Sequence, residues 1–372
     1  MLGWKGNCGL ARLAQVCDRW IYSTCLCFGL TRAEQQRSAF RYTYSLQTGI
    51  QSQPTLLQMK PLLRLLTLGV LVIGLTPSAA LAAGEKLVLS VPNLAFPFFG
   101  FMKSQAEDEA KKLSVELTTQ DGQGSSPKQS DDLRNALNQG VIGIVVSPSD
   151  VNALTPAINE LIASKLPVAT VDRTVEGTTE KVPHVGADNV AGGVAMAEYV
   201  IKKFPNGARI IFLRGEPGAS SAIDRAKGVF DTLKAAGDKY KILADQMANF
   251  KRDQGMIVTQ NLLTSMGNPP DVILASNDDM ALGALQALQQ AGIPNGKIMV
   301  IGYDGLPEAL AKIRSGELTA TIEQSPGKQV RTAMGIVLDY LRNKTPMHDE
   351  VIKPFLVDKE NLDQAERIGE AK

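Results

Sequence analysis

Beyond residue 27 the chain has neither cysteine nor tryptophan. Cys8, Cys17, Cys25 and Cys27, with Trp4 and Trp20, all fall in the first 27 of 372 positions. The remainder therefore has no disulfide, no thiolate metal site and no cysteine nucleophile. Cys25-Leu26-Cys27 has no second pair to complete a zinc set. Histidine is scarce as well: His184 and His348 are the two, far apart in sequence, and a lone histidine is more often structural than catalytic. No metal, cofactor or catalytic residue is expected. A dinucleotide site would need G-x-G-x-x-G after the first apolar run, but that turn reads Pro92-Asn93-Leu94-Ala95-Phe96-Pro97, and there is no P-loop. An excess of basic charge is also missing. The formal net charge is +1, yet residues 1–82 hold eight Lys or Arg and two Asp or Glu, which leaves 31 basic and 36 acidic residues beyond them. A body with that acidic balance argues against a nucleic-acid partner.

What is present begins with an export signal. Lys60 and Arg64 form a basic start after Met59, residues 65–75 are an apolar run too short to span a bilayer, and Ala80-Leu81-Ala82 is a small-residue cleavage site. Residues 59–83 are read as a signal peptide and Met59 as the true start. Residues 1–58 are then a spurious upstream extension, and no peptide from them is expected in the cellular protein. A transit peptide is the alternative, since the segment is basic and poor in acids. The protein that emerges is periplasmic. No cysteine follows the cleavage site to carry a lipid.

From residue 84 the chain repeats apolar run, turn and amphipathic helix. Strands are expected at 87–91, 116–119, 142–146, 167–171 and 184–187, then at 209–213, 240–243, 272–275, 298–301 and 318–322. Helices are expected at 100–113, from Ser126-Pro127, at 151–162 and at 189–204. They continue through Arg225 and Phe230, then at 252–266, 280–291, 307–314 and 326–343. Alternating βα units mean parallel sheets with helices on both faces. Two such sets make an α/β protein of two Rossmann-like lobes. Short strands near 351–353 and 355–357 finish the two sheets.

The functional signal lies at the strand ends, where open α/β sheets bind ligands. Phe96-Pro97-Phe98-Phe99 follows the first strand, Asp172-Arg173 the fourth, Asn277 and Asp304 two strands of the second lobe. Arg225, Phe250 and Gln324 lie in or beside loops on the same side. Singly each has a plainer reading. The rings could be core, Asp172–Arg173 a solvated pair, and Asp304 before Gly305 a turn. Asp278 and Asp279 read best as caps of the helix at Met280. Together the set suits a neutral polyhydroxylated ligand. Carboxylates accept from hydroxyls, guanidiniums donate, amides do both, and flat rings cover an apolar face.

These residues resemble those of the periplasmic sugar-binding proteins of ABC importers, the D-ribose-binding family above all. The resemblance runs from Lys86 to about Lys359. It is carried by Pro97-Phe98-Phe99, Val171-Asp172-Arg173, Asp188-Asn189 with Gly192-Gly193, Asn277 to Ala284, Gly302-Tyr303-Asp304-Gly305 and Ala320 to Gln324. It implies a type I periplasmic-binding-protein fold whose lobes are joined by a three-segment hinge near Ala187, Gln324 and Lys353. The lobes would comprise 84–187 plus 325–353 and 188–324 plus 354–372. It implies that Phe98, Phe99 and Phe250 sandwich a monosaccharide, that Asp172, Arg173, Arg225, Asn277, Asp304 and Gln324 bond its hydroxyls, and that the closed form meets a membrane permease as a monomer. One position departs: Phe96 stands where ribose binders carry asparagine just before Pro-Phe-Phe, so an amide is lost and bulk is gained.

Three alternatives stay open in the residues. A polyol or an autoinducer-type sugar would suit the same cleft, a chemoreceptor would be a further partner, and sugar-responsive transcription regulators share the fold. The regulators need a helix-turn-helix ahead of the first lobe, where this chain has its export signal.

Overall fold

Leu87 to Val91 carries almost no polar alternation because both of its faces are covered. The computed structural model describes residues 84–372, so the upstream extension and export signal lie outside the described residues. The first lobe runs β1 (Lys86–Val91), α1 (Pro97–Leu113), β2 (Glu116–Asp121), α2 (Ser126–Ala136), β3 (Gly143–Val146), α3 (Thr155–Ala163), β4 (Val168–Val171) and β5 (His184–Ala187). The second runs α4 (Asn189–Lys203), β6 (Ala208–Arg214), α5 (Ser220–Ala235), β7 (Tyr240–Met247), α6 (Arg252–Ser265), β8 (Val272–Ala275), α7 (Asp278–Gln290), β9 (Met299–Ile301), α8 (Pro307–Ser315) and β10 (Thr321–Glu323). The chain then returns with α9 (Pro326–Asn343) and β11 (Glu350–Ile352), and β12 (Phe355–Val357) ends on the second lobe.

The first sheet has the order β11-β5-β4-β3-β1-β2 with every pair parallel. The second has the order β7-β6-β8-β9, also parallel. A single bridge from Ile301 to Ala320 ties β9 to the strand entering β10, and β10 pairs antiparallel with β12. The closing strands thus divide between the lobes, and the chain passes from one to the other three times: after β5, after β10 and between β11 and β12.

Burial explains the runs. Val88, Ile144 and Val146 pack on Leu133 of α2, on Leu154 just before α3 and on Ile158 and Leu161 within it. Leu87, Leu89 and Val145 face the other way, toward Met102 of α1 and Val330, Met334 and Val337 of α9. The second sheet repeats the plan, with Ile210 and Phe212 against Met196 and Val229, and Ile211 and Leu213 toward Met280 and Leu310. Each such side chain contributes about 1.5–3 kcal/mol by leaving water.

Several boundaries differ from the sequence reading by a few residues, and four of them have a cause visible in the structure. Helix α1 starts at Pro97 rather than near Gly100, because proline at the first helical position has its φ preset and no N–H to satisfy. This puts Phe98 and Phe99 in the first turn. Helix α3 starts at Thr155, since Asp150 Oδ1 accepts from the Asn152 and Ala153 amides at 2.8 Å and holds the preceding residues in a turn. Strand β7 runs on to Met247 past a register shift. Leu243 is the extra residue there, and as an edge strand its second half lost the apolar pattern that marks a covered one. Helix α7 starts at Asp278, and the cap is Asn277, whose side chain accepts from the Met280 amide at 3.0 Å. Asp278 instead is wholly buried, accepting from Thr321 Oγ1 at 2.7 Å and the Leu306 amide at 2.8 Å. Asp279 pairs with Arg252 at 3.0 Å.

Candidate functional site

Every loop that carries a candidate residue leaves the carboxyl end of a strand. Phe96, Phe98 and Phe99 follow β1, and Asp172 and Arg173 follow β4. Phe250 lies between β7 and α6. Asn277, Asp304 and Gln324 follow β8, β9 and β10, and Arg225 projects from α5. All ten line one cleft. The structure adds one lining residue that the sequence reading passed over, Ser221 in the first turn of α5. The only sequence signal for it was its place at the end of the Gly/Ser loop.

The aromatic wall is built from edge contacts. Phe98 and Phe99 meet at 5.1 Å and 85°, Phe96 and Phe250 at 6.5 Å and 79°, and Phe96 lies 6.5 Å from Phe99. Phe250 belongs to the second lobe, so the wall crosses the cleft. Its ring lies so close to Gly215 that any side chain there would overlap it. Arg173 sits 5.5 Å from the Phe99 centroid and 5.4 Å from that of Phe250, bridging the two with its guanidinium.

Local backbone strain marks the same residues. Asp172, Phe250 and Asp304 have φ of 63°, 57° and 116°. Non-glycine residues there cost of order 1–3 kcal/mol and persist where surrounding structure fixes them, often at ligand sites.

The polar groups are buried and mutually held. Arg225, 3% exposed, donates from Nε to Asn189 Oδ1 at 2.8 Å and from Nη1 to the Ser276 carbonyl at 2.6 Å. Its guanidinium lies 3.6 Å from the centre of the Tyr303 ring and 3.6 Å from Asp304 Oδ1. Gly192 makes room for that tyrosine: a β-carbon there would overlap the hydroxyl and come within 2.7 Å of the ring. Gln324 donates to Asp304 Oδ1 at 2.6 Å, and Asn277 to the Phe250 carbonyl at 3.2 Å. Asp172 accepts from Ser147 Oγ at 3.2 Å and lies 3.8 Å from Arg173 Nε, a buried N–H with no protein hydrogen-bond partner. A buried donor left unpaired is costly, so this one is available to a ligand in the cleft.

Burial outweighs the nearby cations in setting the carboxyls. Asp304 is pushed up to about 8 by desolvation, with Arg225 opposing and the Asp172 charge adding to the rise. Desolvation raises Asp172 too, against Arg173 and Arg225. Behind Asp304, desolvation and the Asp304 charge raise Asp278 strongly. Two carboxyls thus stand beside two guanidiniums, with at least Asp304 held mostly protonated at neutral pH as a donor as well as an acceptor.

The lobes touch around the cleft. Arg173 Nη1 donates to Glu216 Oε2 at 3.2 Å, the Thr174 amide to Ser220 Oγ at 2.9 Å, and the Val151 amide to the Gly218 carbonyl at 2.9 Å. His184 stands away from all this, bonded to Thr170 Oγ1 at 3.0 Å. Burial lowers its pKa to about 4, which makes it a neutral structural group.

Comparison with known proteins identifies the family. Residues 87–345 match the periplasmic binding protein domain family. The ribose import binding protein RbsB of Salmonella typhimurium is 38% identical over 253 residues, 68% of this chain and 83% of that protein. The Caulobacter myo-inositol binding protein, solved bound to myo-inositol, superposes with a TM-score of 0.76 at 48% identity, covering 77% of this chain and 97% of that one. A solute-binding protein of an ABC transporter from Bacillus halodurans, also with bound myo-inositol, gives a TM-score of 0.72 at 27% identity over 77% and 98% of the two chains. The chain therefore belongs to the periplasmic binding protein family, among the sugar-class solute-binding proteins of ABC importers.

Proposed function

We propose that this protein captures a neutral cyclic polyol, with myo-inositol the first candidate, and delivers it to a membrane permease. The observation that carries the reading is the lining itself: two carboxyls, two guanidiniums and two amides among four phenylalanines. Hydroxyls around the ring would meet the polar groups, and the C–H faces would meet Phe98, Phe99 and Phe250. Phe96 favours a six-membered carbocycle over ribose. It offers bulk and no hydrogen bond where ribose binders carry an amide, and the myo-inositol-binding relative shares more of this sequence than the ribose one does. Ribose is the second reading, supported by the ribose import relative.

The working cycle follows from the lobe arrangement. The lobes would be 84–187 with 325–353 and 188–324 with 354–372, closing on the ligand about the three chain passages. The protein would act as a periplasmic monomer after removal of the signal at 59–83, with a chemoreceptor as a further partner. Thermal melts of the mature protein against inositols, pentoses and hexoses test the reading, with a dye or calorimetry as reporter because the described residues contain no tryptophan. A bound ligand at a thousand times its Kd adds about 4 kcal/mol of stability. Myo-inositol is expected to give the largest shift. A larger shift with ribose would replace it by the second reading, and no shift with any sugar or polyol would refute both.

A further inference from the structure

We propose that Ser221 reads one hydroxyl of the ligand and, paired with Phe96, sets which cyclic polyol the cleft accepts; this rests on the reading above. Ser221, 2% exposed as a residue, lines the cleft, and among the described residues its Oγ is given no protein hydrogen bond. Its neighbour Ser220 shows the contrast: that hydroxyl is taken by the Thr174 amide at 2.9 Å. A serine hydroxyl both donates and accepts, and one that opens into the cleft without a protein partner is free to bond a ligand there. The group that can satisfy Ser221 is whatever fills the cleft.

Position supports the assignment. Ser221 stands in the first turn of α5, and Arg225 is four residues on, so both side chains lie on one helix face. Arg225 is held by Asn189 and Ser276, and it stacks on Tyr303, so the face that carries both groups is fixed. A hydroxyl lying against Arg225 has Ser221 as its next neighbour along the helix. The wall contributed by Phe96 is wholly apolar, and Phe96 packs on Phe99 and Phe250. The lining therefore places an added hydrogen-bonding group on α5 and none at Phe96. It selects a ring with a hydroxyl directed at α5 and an apolar edge directed at Phe96. A site built around a hydroxyl rejects analogues that lack it.

The test is calorimetric titration of the wild type and Ser221→Ala with myo-inositol and each of its monodeoxy derivatives. Wild type is expected to bind one particular deoxy derivative roughly 3- to 10-fold more weakly than myo-inositol, in line with one hydrogen bond. Ser221→Ala is expected to lose a similar factor for myo-inositol and to bind that same derivative no worse than the wild type does. The melting temperature without ligand should match the wild type, which separates a binding effect from misfolding. Equal affinity of Ser221→Ala and wild type for myo-inositol would overturn the proposal while leaving the proposed function intact. If the wild type ignores myo-inositol and binds another ring from the panel, the proposed ligand falls. The same comparison with that ring and its deoxy forms then decides Ser221. Binding of no sugar or polyol would overturn both.

Discussion

Asp304 should make the ligand-free protein lose stability as pH rises from about 4 to about 8. Its carboxyl is 5% exposed, and burial lifts its pKa from an ordinary 3.8 to about 8. The sign follows from proton counting. Between those two values the folded protein holds a proton that the unfolded chain has released. Stability therefore falls as pH climbs through that window, and it is flat above and below. A rise of about four units at about 1.4 kcal/mol each caps the effect at about 6 kcal/mol. The attraction of Arg225, 3.6 Å away, favours the charged form and is already contained in that net rise. Asp278 titrates with Asp304, so the pair shares the transition. Chemical denaturation at pH 5, 7 and 9 on wild type and Asp304→Asn measures it. The variant keeps the shape and cannot ionise. It should be close to wild type at pH 5 and gain on it by a few kcal/mol at pH 9, because only the wild type must then bury a charge. Parallel stability curves for the two proteins across the range would refute the reasoning and show that Arg225 fully compensates the carboxylate.

Two further substitutions test how the site is held. Gly192→Ala places a β-carbon onto the Tyr303 hydroxyl and 2.7 Å from its ring, so the tyrosine that carries Arg225 must shift. Denaturation should show a loss of about 1–3 kcal/mol, and calorimetry a parallel loss of ligand affinity; unchanged affinity would mean that Tyr303 does not position Arg225. Glu216→Gln removes the charge that meets Arg173 across the cleft at 3.2 Å. Since Glu216 is 23% exposed at its side chain, the pair contributes at most about 1 kcal/mol. Stopped-flow should show ligand leaving a few-fold faster, and an unaltered off-rate would mean that the pair does not hold the lobes together.

Much of this protein was legible in residue order alone. Strands such as Leu87–Val91 and Ile210–Leu213 are covered on both faces, so they appear as unbroken apolar runs, and the helices between them carry a 3.6-residue stripe. That alternation dictates parallel sheets, and parallel sheets place their ligand sites at the carboxyl ends of the strands. Asp172, Asn277 and Asp304 could be picked out for that reason, before any contact was known.

What only the tertiary structure decided were matters of distance. Asn277 and the two aspartates after it are equivalent in sequence as helix-start residues. Which one caps α7, and which is buried on Thr321 and Leu306, depends on a strand more than forty residues away. The extension of β7 to Met247 was hidden because an edge strand needs no apolar pattern once its backbone is paired on one side. Ser221 was hidden because a serine at a helix start looks the same whether its hydroxyl meets the backbone, as Ser220 does, or opens into the cleft. The raised carboxyls were hidden too, since a pKa is set by water excluded from all sides at once. Sequence determined which groups would arrive at the strand ends; the packing of two lobes around one cleft decided which of them are dry, which are spent on each other and which remain for a ligand.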